Sequence, residues 1–185
     1  MNRTVLFVLG ALAVSAVASA QTPPASSDAL EKALSAAPRN MKDGATVIKW
    51  KADNTYDTLR KGTNRLVCYD WSGEPGKQPF AVQCTSIANL DRVAQNRKFD
   101  AIADKAAKQA AIDAVEKDGT RVKPEFGSVW LTLNGADKEH ATHVHTTIAV
   151  PGATTQSMGL PDKPTGGVWI MNAGTTTAHL MTPGS

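Results

Sequence analysis

The sequence predicts an α+β fold: an antiparallel sheet, made of an N-terminal meander plus C-terminal strands, packed against one long Ala-rich helix. Three observations carry this expectation. Short runs of strand composition lie before residue 90 and again after residue 124. The stretch between them is rich in alanine and charge at helical spacing. No strand–helix–strand alternation is present, which argues against a parallel sheet. A chain of 185 residues suits one domain of ordinary size, and neither an internal repeat nor a linker divides it.

Residues 1–20 have the layout of a secretory signal peptide. Arg3 supplies a positive start, residues 5–17 are apolar, and Ala18-Ser19-Ala20 is a small-x-small cleavage site. The apolar run is shorter than the roughly 20 residues of a membrane span. Residues 21–27 then read as a flexible mature N-terminus and residues 28–185 as the single α+β domain. The expected location is the periplasm or the exterior, with no transmembrane segment after cleavage. Removing Arg3 leaves 19 basic against 17 acidic residues, a net charge of +2. So slight a basic excess gives no reason to expect a nucleic-acid partner.

The first helix is expected from Ser27 or Asp28. Asp28 and Glu31 form a capping-box-like pair, Ala29, Leu30, Ala33, Leu34 and Ala37 make one apolar stripe, and Pro38 stops it. Residues 46–51 alternate, with Ile48 and Trp50 on one face and Val47, Lys49 and Lys51 on the other. Ala52-Asp53-Asn54 turns the chain into a second strand over 55–60. Two further runs, 65–71 and 80–84, flank a segment rich in Gly and Pro, which predicts a hairpin centred near Gly76. That hairpin sets Cys68 opposite Cys84. In an exported protein such a pair forms a disulfide, closing a loop of about 15 residues.

Residues 90–117 give the long helix, with Phe99, Ile102, Ala103, Ala106 and Ala110 on one face. Asp104 with Lys108, and Asp113 with Lys117, are acid-before-base pairs four residues apart, and Gly119 suits the position after a helix end. Beyond Pro124, residues 128–133 place Val129, Leu131 and Leu133 on one side of a strand. Residues 142–150 place Val144, Ile148 and Val150 on one side and His143, His145, Thr147 and Ala149 on the other. A turn of helix near 152–157, a loop over 160–167 and a hairpin of 168–172 with 177–181 complete the chain.

The histidines are the chemical lead, because all four lie between His140 and His179. His143 and His145 project from one strand face about 6.6 Å apart along the chain. Imidazoles at that spacing can converge on Zn²⁺ or Cu²⁺, with His179 as a third ligand and His140 swinging in from the preceding loop. Asp137 or Glu139 supplies a carboxylate nearby. Known motifs fail: Glu139-His140-Ala141-Thr142-His143 has its glutamate outside the histidine pair, and His145-Thr146-Thr147 has no second His-x-Thr copy. No nucleophile elbow, phosphate loop or dinucleotide fingerprint is present.

Two functional readings result. The first is a small exported soluble protein that binds a divalent metal, zinc or copper, through His143, His145, His179 and His140. An open coordination position would make it a metal-assisted hydrolase. The second is a non-enzymatic periplasmic or extracellular binding module. It would recognise a protein or carbohydrate partner through Trp50, Trp71, Trp130 and Trp169.

Overall fold

The computed structural model describes residues 26–183. The expected signal peptide, and residues 21–25 of the segment after it, lie outside the described residues. The strands are β1 Thr46–Trp50, β2 Tyr56–Arg60, β3 Leu66–Asp70, β4 Phe80–Ser86, β5 Val129–Gly135, β6 Val144–Ala149, β7 Trp169–Met171 and β8 His179–Met181. They form one eight-stranded sheet in the order β2-β1-β3-β4-β5-β6-β8-β7. The helices are α1 Ser27–Ala33, α2 Leu90–Asp100, α3 Lys105–Lys117 and α4 Thr155–Met158. The α+β class is as the sequence implies. None of these helices is long and apolar enough to cross a membrane.

Two expectations are corrected. The sheet is mixed, because β1 and β3 run parallel while the other neighbouring pairs are antiparallel. The β1–β2 hairpin lies outside β1, so the chain must recross the start of β1 to reach its other edge, and β3 then has β1's direction. The crossing is made at Gly62, whose N–H donates to Thr46 Oγ1 at 3.1 Å. The next two amides, of Thr63 and Asn64, donate to the Gly44 carbonyl at 2.8 and 2.9 Å. A Cβ on Gly62 would stand 2.3 Å from that carbonyl oxygen, so only glycine fits.

The single long helix is replaced by α2 and α3, with a break over residues 101–104. Asp104 is the reason: its side chain accepts the Ala107 N–H at 2.7 Å and so caps a new helix. The expected Asp104–Lys108 pair is therefore not made. Lys108 instead reaches back to Asp100, and Asp113 accepts from Gln109 rather than pairing with Lys117. Similarly Ser26, not Asp28, caps α1 by accepting the Ala29 N–H, so Ser26 and Ser27 belong to the helix start rather than to a loose tail.

The sheet buries both faces. On one, α1 and the turn after it lay Ala33, Leu34, Ala36 and Ala37 over Val47, Leu66, Val82, Leu131 and Leu133. The Cys68–Cys84 disulfide lies in this layer, with both residues fully buried and directly opposed in the β3–β4 register. On the other face, Leu90 and Val93 of α2 cover Ile48, Trp50, Val67 and Tyr69. Buried Asn89 anchors the start of α2: its amide donates to Thr85 and Ser128, and its carbonyl accepts the Glu125 N–H. At the far end of the sheet, Val150, Ile170 and Ala178 form a smaller cluster under α4.

Two outcomes test this account. Gly62→Ala forces the β2–β3 crossing off β1 and is expected to cost roughly 2–3 kcal/mol, read as a lower urea midpoint; an unchanged midpoint contradicts the close crossing. Replacing Cys68 and Cys84 together by Ala is expected to remove about 3 kcal/mol of unfolding free energy, measured the same way.

Candidate functional site

Direct register partners in a sheet share a face, and one row of them runs across four strands. Tyr69 opposes Gln83, Gln83 opposes Thr132, and Thr132 opposes His145. Their side chains are linked along the row. The Tyr69 hydroxyl donates to Gln83 Oε1 at 2.5 Å, and Gln83 Nε2 donates to Thr132 Oγ1 at 2.9 Å. Tyr69 and Gln83 are buried, and burial together with nearby Glu74 holds the phenol well above its ordinary pKa, against the opposing charge of Arg97, so it stays a neutral donor. The row becomes half-buried at Thr132 and His145. Neither ring nitrogen of His145 has a hydrogen-bond partner among the described residues.

Beyond buried Tyr69, the Gln83, Thr132 and His145 part of this row floors a cleft of about 210 Å³ between the sheet and α2. Trp130, Thr147 and Ala149 continue the floor, Arg92 and Asn96 of α2 form one wall, and Pro124 and the Thr177–His179 segment close the others. His179 shares this face because it opposes Ala149. Its Nδ1 lies 2.8 Å from the Thr177 carbonyl, an oxygen that can only accept. Nδ1 therefore carries the proton, and in the neutral ring Nε2 is an acceptor.

Arg92 is the deepest polar group of the wall. It is 3 % exposed, and it donates to the Val122 carbonyl, to Thr176 Oγ1 at 2.9 Å and to Thr177 Oγ1 at 2.7 Å. Burial and the charge of Arg121 lower its pKa to about 10, against the opposing pull of Glu116, so it remains charged at neutral pH. Glu116 itself accepts from the Thr176 amide and hydroxyl, tying α3 to the same loop.

A second hollow, of about 180 Å³, continues under α2 and shares Gln83, Asn96 and Trp130 with the first. Here Lys77 Nζ sits 4.0 Å from the centre of the Trp71 ring and 2.7 Å from Asp100, which Lys108 also contacts. A larger depression, about 360 Å³, lies beside Lys49 and Trp50. Its carboxylates are already engaged, Asp70 by Lys32 and Glu74 by Arg97.

The four histidines are placed as follows. His145 and His179 line the cleft. His143, one residue before β6, is exposed. His140 is exposed on the β5–β6 loop, with Nδ1 2.6 Å from Asp137; the His140 backbone amide and then its ring lower the Asp137 pKa. Among the described residues no group of three or more His, Cys, Asp or Glu side chains is placed to hold a metal ion. Of the tryptophans, Trp50 is buried, Trp71 packs against Tyr69 in the same cluster, Trp130 lines the cleft, and Trp169 is half-buried on β7.

Sequence reasoning did not single out Arg92, Gln83 or Tyr69. Arg92 sits among charged residues that look like a solvated helix face. Gln83, a lone polar residue in a run of β composition that becomes a strand buried on both sides, was the available signal for a polar row. Comparison with known proteins finds no matching family model, no matching curated protein and no matching solved structure.

Asp100 offers a pH test of the α2–α3 packing. Burial raises its pKa, but hydrogen bonds from Lys108 and Lys77 and their charges outweigh this and hold it below the ordinary 3.8. A lowered folded-state pKa stabilises above the unfolded value, and that stability is lost as pH falls through the folded value. Asp100→Asn is expected to cost about 1–2 kcal/mol at pH 7 and to flatten the loss of stability below pH ~4. Identical acid unfolding of the variant and the parent contradicts the assignment.

Proposed function

We propose that this chain is an exported binding module whose ligand is a small polar molecule held in the cleft beneath α2. The polar row Tyr69–Gln83–Thr132–His145 carries the reading. A sheet face that served stability only would be apolar under a helix, since buried polar groups cost free energy unless satisfied. Here the row is hydrogen-bonded through its buried part and ends at a half-buried imidazole inside a concave site. Convergent polar groups on a partly apolar cleft are the usual features of a ligand site. The buried disulfide supports an oxidising compartment, the periplasm or the exterior.

The second reading, a metal-assisted hydrolase, has less support. A catalytic zinc centre takes three protein ligands and keeps an open position. His145 and His179 share the cleft, but no third ligand joins them among the described residues.

The test is a titration of the ¹⁵N- and ¹³C-labelled protein with a panel of glucose, N-acetylglucosamine, glycine and acetate, followed by NMR. A binder is expected to move the Trp130 indole and the His145 and His179 ring signals, while those of His140 and His143 stay in place. Binding that maps elsewhere contradicts the cleft. Stoichiometric Zn²⁺ uptake abolished by both His145→Ala and His179→Ala would favour the metal reading instead.

A further inference from the structure

The described part of the molecule pairs most of its buried or half-buried charges around α2. Arg97 contacts Glu74, and Asp100 takes both Lys77 and Lys108. Two guanidinium groups stand apart from this pattern. Arg92 and Arg121 are 3 % and 6 % exposed, yet neither forms a salt bridge with any described carboxylate. Arg92 spends three of its five N–H donors on neutral oxygens, of Val122, Thr176 and Thr177, which leaves two. Arg121 donates to Gln95 Oε1 at 2.7 Å and Asn96 Oδ1 at 2.6 Å, and its Nε is buried with no partner.

These two cations lie close enough that Arg121 depresses the pKa of Arg92. The one carboxylate that acts on both is Glu116, and its oxygens are engaged by Thr176. The cleft that Arg92 lines contains no Asp or Glu at all; its other titratable groups are His145 and His179. Buried charge without an opposite charge is costly, typically by several kcal/mol per ion. An electropositive, carboxylate-lacking cleft is therefore a receptor for an anion.

We infer that the ligand of this cleft is a small organic carboxylate, its acid group directed to Arg92 and its apolar part lying along Trp130 and Ala149. This rests on the cleft being the ligand site. The guanidinium fork matches a carboxylate in two parallel hydrogen bonds, which a point charge does not. Trp130 and Ala149 give the floor an apolar strip that a bare inorganic anion would leave uncovered. The volume of about 210 Å³ falls below the roughly 300–1,000 Å³ of pockets for drug-sized ligands. That selects an acid of one ring or a short chain over an acidic peptide or polysaccharide.

The experiment compares benzoate, its neutral isostere benzamide, and inorganic phosphate on the wild-type protein, with the Arg92 Nε–H and Trp130 indole NMR signals as readouts. Benzoate is expected to shift both signals and to bind at least ~10-fold more tightly than benzamide, the difference made by one charge-assisted pair. Arg92→Lys, which keeps the charge and loses the fork, is expected to weaken benzoate by about tenfold. Arg92→Gln is expected to abolish binding while circular dichroism confirms the fold. If that variant does not fold, the benzoate–benzamide comparison decides without it. Equal affinity for benzamide and benzoate overturns the anion assignment and leaves the cleft reading standing. Binding of phosphate but not benzoate overturns the carboxylate class. If none of the three binds, the proposal fails; if glucose and N-acetylglucosamine, the uncharged members of the earlier panel, also leave Trp130 and His145 unmoved, the cleft reading fails with it.

Discussion

A guanidinium taken out of water must be satisfied by whatever surrounds it, and Arg92 imposes that constraint on the half of the sheet that carries the cleft. Its donors reach the Val122 carbonyl and the hydroxyls of Thr176 and Thr177, so one side chain joins α2 to two loops distant in sequence. Glu116 ties α3 to the same loop through Thr176. Arg121 returns the 120s loop to α2 through Gln95 and Asn96. The cleft walls are thus held by charged groups acting mostly on neutral oxygens. Such hydrogen bonds are stronger than neutral ones, and they leave the net positive charge in place.

The two faces of the sheet divide the work. The α1 face is apolar and carries the buried disulfide, so its contribution is stability. The α2 face begins as an aromatic cluster, with Tyr69 meeting Trp50 and Trp71 edge to face at centroid distances of 5.8 Å. Toward β5 and β6 it becomes polar through Gln83, Thr132 and His145. Strand β4 lies at the change, buried on both faces, with Val82 and Cys84 in the α1 layer and Gln83 in the polar row. The same strand therefore fixes the stable layer and orients the first rigid group of the cleft floor.

Much of the sheet was legible because its signals are local. Alternation put Ile48 and Trp50 opposite Val47, and the turn-rich segment around Gly76 set Cys68 against Cys84, as the register confirms. The parallel β1–β3 pair was not legible: strand composition does not encode which edge a returning chain joins, and Gly62 reads as an ordinary turn residue until Gly44 is beside it. The break before Asp104 was visible only as a capping residue inside a sequence that otherwise favours helix. At the site, the alternation of 142–150 correctly put His145 on the face away from Val144. Arg92 was hidden because burial of a helix charge depends on loops, those of Val122 and Thr176, whose positions no local pattern gives.

The most direct measurement is a crystal structure of the protein soaked with 4-bromobenzoate, the bromine located by its anomalous scattering. The account places the carboxylate on Arg92 and the ring along Trp130, with bromine density inside the cleft. Bromine density outside the cleft, or a carboxylate turned away from Arg92 toward solvent, would contradict it.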